Sequence, residues 1–286
     1  MTAYSEHRYK SACGQLELFA RDYPGDGPPL LLMHGLTRNS ADFEPLAQHL
    51  AGHYRLIVPD QRGRGLSQYD PDAKSYRPDI YAQDMFALLD SLDIQRPGLI
   101  GTSMGGLMAM VMNMMKPGTF PAIVFNDVGP VLDEAGLDRI GGYVGRVEPF
   151  ADWDGAARAS GAVNASAFPD FAEADWQTWA RRTCRELPDG RVSFAYDPAI
   201  ADGFADVDDS AQPDLWPMWD ALGQTPVLVI RGALSDLLAR QTVAGMKDRH
   251  KGPFVAVDVP NRGHAPLLDE PAALDAITSF LKEHMS

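Results

Sequence analysis

Short apolar runs alternate along this chain with stretches in which apolar residues recur every three or four positions. Such runs lie at 29–36, 54–59, 98–102, 122–126, 226–232 and 254–259. Their length and β-branched content predict strands, and the periodic stretches between them, such as 79–92 and 104–116, predict helices. Alternation of this kind builds a mostly parallel sheet covered on both faces. Segments 8–12 and 15–21, joined by a tight turn near Gly14, predict an antiparallel hairpin at one edge. The helix over 104–116 holds Met104, Met108, Met110, Met112, Met114 and Met115. Apolar all round, it suits burial in the middle of the fold.

From 127 to 222 the alternation stops and helical, aromatic-rich stretches replace it. All five tryptophans, Trp153, Trp176, Trp179, Trp216 and Trp219, lie in this part. The pattern divides the chain into a core of 1–129 and 223–286 and an inserted helical segment, 130–222. Tryptophan buries a large area at low flexibility, so most of the five are expected in the insertion's own core and one or two beside a cavity.

The chemistry begins at Gly101-Thr102-Ser103-Met104-Gly105, where a strand turns sharply into a helix. A serine at the tip of such a turn projects its hydroxyl away from the sheet, beside the first free amides of the helix, and flanking glycines let strand and helix approach. Asp236 follows the strand at 226–232, and His264 sits in the loop after the strand at 254–259, before a helix that Asp269 or Glu270 caps and Pro271 starts. Serine, acid and histidine thus stand in that order at strand ends. Asp127 also ends a strand and rivals Asp236 for the acid; its other reading is to cap the turn into the insertion. His34, which ends a strand beside Gly35, reads as a packed residue shaping the next turn.

These motifs, with His34-Gly35, Asp60-Gln61-Arg62-Gly63-Arg64-Gly65-Leu66-Ser67, Ser235-Asp236 and Gly263-His264, resemble the α/β-hydrolase superfamily. The resemblance implies an eight-stranded, mostly parallel sheet flanked by helices, with a helical cap inserted after the sixth strand. It implies Ser103 as nucleophile, His264 as base, Asp236 ahead of Asp127 as acid, and the backbone amides of Leu36 and Met104 as an oxyanion hole. Cleavage of a small, largely apolar carboxylic ester or lactone through an acyl-enzyme follows. The alternatives are a carbon–carbon bond hydrolase of ring-cleavage products, whose usual Asn before the serine and Trp after the histidine are here Thr102 and Ala265, and a ligand receptor with little turnover.

Composition narrows the partners. Of the net charge of −14, the inserted segment carries −11, from 18 acidic and 7 basic residues. That sign argues against nucleic acid or an anionic membrane and leaves a small-molecule acyl substrate as the expected partner. No cofactor or metal is called for: Cys13 and Cys184 have neither disulfide-framework nor metal-ligand spacing and read as buried apolar groups. A polar N-terminus with no long apolar run makes a cytoplasmic protein the expectation.

Overall fold

The computed structural model describes residues 3–145, 148–205 and 213–285, so 146–147 and 206–212 of the inserted segment lie outside the described residues. Eight strands form one sheet: β1 (Ser5–Lys10), β2 (Glu17–Tyr23), β3 (Pro29–Met33), β4 (Arg55–Asp60), β5 (Gly98–Thr102), β6 (Ile123–Asn126), β9 (Val227–Gly232) and β10 (Phe254–Val259). Their order is β1-β2-β4-β3-β5-β6-β9-β10. The expected hairpin pairs β1 with β2 antiparallel; β2 also runs antiparallel to β4, and the remaining neighbours are parallel.

Alternation within the strands decides what covers each face. Leu30 and Leu32 of β3 point to one side, with Leu56, Val58, Ile100, Val124 and Ile230, where α1 (Glu44–Leu50) and α10 (Pro271–His284) pack. Leu31 and Met33 point to the other, with Leu99, Phe125 and Val229, under α2 (Pro78–Ser91), α3 (Met104–Met115) and α9 (Arg240–Arg249). Each fully buried side chain of this size contributes about 1.5–3 kcal/mol relative to exposure. Helix α3 is central, as its composition predicts, through Met104, Met108, Met110 and Met112. Its last turn leaves the core, however, and Met114 and Met115 are exposed.

Between β6 and β9 lie α4 (Glu134–Gly141), α5 (Trp153–Asn164), α6 (Glu173–Thr183), the hairpin β7 (Cys184–Glu186) and β8 (Val192–Phe194), α7 (Ile200–Ala205) and α8 (Trp216–Asp220). Trp176 and Trp179 pack with Phe168 and Phe171. Trp219 belongs to the core sheet instead: it is fully buried against Phe125 and Phe254 and donates its indole N–H to the Met246 carbonyl. The insertion is tied down by backbone bonds from Gly65 to Ala195, from Asp197 to Gly63 and from Gly263 to Ala167, at 2.8, 2.8 and 2.7 Å. No helix among the described residues is long and apolar enough to cross a membrane.

Candidate active site

Strand β5 runs straight into α3 through Ser103, whose φ of 51° and ψ of −116° place a non-glycine residue in a sparsely populated region. The flanking glycines make that turn possible. A Cβ on Gly101 would fall well under 3 Å from the Gly105 backbone, and one on Gly105 would do the same against the Met33 carbonyl. The turn is held by Ser103 N–H donating to the Asn126 carbonyl at 3.0 Å.

His264 Nε2 lies 2.8 Å from Ser103 Oγ. Its Nδ1 lies 2.8 Å from Oδ2 of Asp127, a fully buried carboxylate. A carboxylate can only accept, so Nδ1 carries the proton and Nε2 is left to accept from the serine hydroxyl. The acid beside the histidine is therefore Asp127, and the sequence expectation of Asp236 is corrected.

The correction has a local cause. β6 and β9 are neighbours, with Asn126 opposite Ile230, so Asp127 and the turn after Gly232 emerge side by side. Asp127 sits at φ 56°, its N–H donates to the Ile230 carbonyl at 2.7 Å, and its Oδ1 accepts from Gly232 N–H at 2.8 Å. Ser235 then faces inward and donates its hydroxyl to Asp127 Oδ2 at 2.6 Å, while its Oγ accepts from Leu237 and Leu238 N–H at 3.2 and 3.0 Å. The next residue of the turn faces away. Asp236 meets Arg139 of α4 through two hydrogen bonds of 2.6 and 2.9 Å. Partial burial pushes the Asp236 carboxyl up, but the Arg139 guanidinium overrides it and holds the group below the usual carboxylate range. Ser235 enters the sequence motifs only as the neighbour of Asp236, and Arg139 belongs to none of them. The dipeptide Asn126-Asp127 at a strand end was the only signal for the acid.

His34 behaves as expected of a packed residue. Fully buried, it donates from Nδ1 to the Gly35 carbonyl at 2.8 Å and accepts Gln61 N–H at Nε2 at 3.1 Å. Burial pushes its pKa down to about 3, so the ring stays neutral. The unfolded chain binds that proton below about pH 6.5 and the folded one only near pH 3, so His34 favours folding above the unfolded value and loses this as pH falls. Unfolding free energy is expected to decrease by about 1.4 kcal/mol per pH unit from this group between roughly pH 6 and pH 4. Urea titrations across that range check it, alongside the His34 ring proton shift, which should not move above pH 4. Next to it, buried Arg64 donates to the Leu36 carbonyl at 2.9 Å and to the Arg62 carbonyl at 2.8 Å, so the Asp60–Ser67 loop buttresses the turn after β3.

Ser103 and His264 open into a cavity of about 1,280 Å³. Gly35, Leu36 and Met104 line it beside the serine, and Leu107, Val111, Ile140, Leu215 and Met218 make much of the wall apolar. Both the core and the inserted segment contribute. Among the described residues on its walls, Trp179 is the one tryptophan. Cys184 is buried as expected, whereas Cys13, in the turn of the edge hairpin, is exposed.

Residues 30–277 match the alpha/beta hydrolase family. The chain belongs to this family. Among curated relatives, the 3-hydroxybutyrate-oligomer hydrolase of Cupriavidus necator is 34% identical over 90% of this chain and 89% of its own length. The 2-(acetamidomethylene)succinate hydrolase of Mesorhizobium japonicum is 28% identical over 94% and 92%. Among solved structures, an alpha/beta hydrolase from Novosphingobium aromaticivorans superposes with a TM-score of 0.92 at 43% identity, covering 99% of both chains. The eight-stranded, mostly parallel sheet with flanking helices is the α/β-hydrolase fold, as the sequence motifs imply.

Proposed function

We propose that this hydrolase cleaves carboxylic esters through an acyl-enzyme on Ser103. The observation that carries the reading is the chain of two 2.8 Å hydrogen bonds, Ser103 to His264 to Asp127, opening into a largely apolar cavity. Ser103 Oγ attacks the ester carbonyl carbon as its proton passes to His264 Nε2. Charge on the carbonyl oxygen is taken up by the amides of Leu36 and Met104, each donor contributing about 3 kcal/mol. Asp127 holds the histidine tautomer and stabilises the imidazolium. The imidazolium then protonates the leaving alkoxide as the carbon–oxygen bond breaks. Water, losing its proton to His264, attacks the acyl carbon, and the carboxylic acid leaves as Ser103 regains its proton.

The inserted segment serves as the cap over this site. Relatedness to a protein named for hydrolysis of 3-hydroxybutyrate oligomers supports esters of short hydroxy acids as the first substrates to try. Carbon–carbon bond hydrolysis is the second reading, since the same nucleophile and base would serve it, and a relative named for a substituted succinate keeps it in view. Ala265 lines the cavity where ring-cleavage hydrolases carry tryptophan, which favours the ester. A fluorophosphonate is expected to add once, at Ser103, and Ser103→Ala to lose both the adduct and hydrolysis in a panel of esters, lactones and ring-cleavage dienoates. Undiminished labelling of the variant would remove Ser103 from the mechanism. Turnover of dienoates but of no ester would favour the second reading.

A further inference from the structure

The cavity is acidic as well as apolar. Asp42, Asp79, Glu134 and Asp138 line it, and among the described residues on its walls Arg38 supplies the one guanidinium or ammonium group. Arg38 belongs to the turn after β3, where its N–H donates to the Gly35 carbonyl at 3.2 Å. Its side chain runs beside the nucleophile: Arg38 Cγ and Ser103 Cβ both lie within 4 Å of the position a Cβ would take on Gly35. The head group is held in place. Nε and Nη2 donate to the two Asp42 oxygens at 2.6 and 2.5 Å, and the guanidinium carbon Cζ lies over the Trp179 ring, 3.7 Å from its centre. Nη1 has no acceptor among the described residues.

A guanidinium fixed in this way loses little freedom when it takes a second acceptor, and its fork suits a carboxylate oxygen. We propose that Arg38 recognises a substrate carboxylate, so that the preferred esters carry a free carboxylate a few bonds from the scissile carbonyl. This rests on the ester-hydrolase reading above and narrows it to a substrate class. Asp42 orients Arg38 and also offsets part of its charge, which suits a monoanion that must leave again after hydrolysis. Without Arg38, and His264 apart, every charged side chain on the walls among the described residues would be acidic.

The test compares each acid with its neutral ester. The pairs are the 3-hydroxybutanoate dimer and its methyl ester, with the carboxylate on the alcohol half, and monoethyl and diethyl succinate, with it on the acyl half. The ratio of kcat/KM for acid over neutral ester should fall about 10- to 100-fold in Arg38→Gln for at least one pair, the range for losing one hydrogen bond to a charged group. It should rise in Asp42→Asn, which removes the competing carboxylate. A ratio unchanged in Arg38→Gln for both pairs would overturn the proposal. So would a ratio that falls in both variants, since the pair would then be a scaffold under Trp179. Should the wild type hydrolyse none of the four, the ester reading fails by itself. Calorimetric binding of 3-hydroxybutanoate to Ser103→Ala, with and without Arg38→Gln, then decides the role of Arg38: a weakening of about tenfold or more supports it, and equal affinity rejects it.

Discussion

Asp127→Asn is expected to lower ester turnover about 10⁴-fold with the fold and substrate binding retained. An amide at this position can keep the Gly232 N–H bond at Oδ1, where the carboxylate accepts at 2.8 Å. Toward His264 it turns an N–H group, which calls for the wrong imidazole tautomer and leaves the imidazolium without its counter-charge. Asp236→Asn is expected to cost little turnover. It breaks the paired contact with Arg139, whose partner carboxylate is about a third exposed, for at most about 1 kcal/mol of stability after screening. Steady-state kinetics on the two variants, with circular dichroism to confirm folding, separates the roles. A larger loss in Asp236→Asn than in Asp127→Asn would return the acid's role to Asp236.

Asp84→Ala is expected to destabilise the protein by about 3–5 kcal/mol, the largest stability effect of a single ion-pair change here. Arg62 and Asp84 are both almost fully buried. Arg62 donates to the two Asp84 oxygens at 2.7 and 2.9 Å, and Asp84 Oδ1 also accepts Ala12 N–H at 2.9 Å. Asp70 would remain on Nη1 at 2.7 Å, yet two N–H groups of a desolvated cation would have no acceptor. The loss should reach the site as well, because the loop that holds Arg62 also holds Arg64, which fixes the Leu36 carbonyl. Glu17→Ala, which removes the half-exposed partner of Arg8 at 3.4 Å, is the contrast and should cost no more than about 1 kcal/mol. Urea midpoints at constant m-value read both. Equal costs for the two variants would mean that burial does not govern the strength of these pairs.

What the sequence determined by itself is local and steric. Glycine at 101 and 105 is required by close backbone approach, and those glycines with an apolar strand before them and an apolar helix after them place Ser103 at the tip of a turn. The same holds for His34 at the end of β3 and for His264 beyond β10, and strand periodicity settles which residues face α1 and α10 and which face α2 and α3. The choice of acid was beyond that kind of reading. Asp127 and Asp236 both follow strands of the right polarity, and each would reach the histidine from its own strand end. What separates them is that β6 and β9 are neighbours, that Ser235 turns inward to bond Asp127, and that α4 brings Arg139 to the residue turned outward. The same applies to Trp219, which follows its contacts onto the core sheet, and to Cys13, left exposed in its hairpin turn. Period and turn chemistry are properties of neighbours in sequence, whereas the partners of the buried Asp127 come from segments more than a hundred residues away, and only packing brings them together.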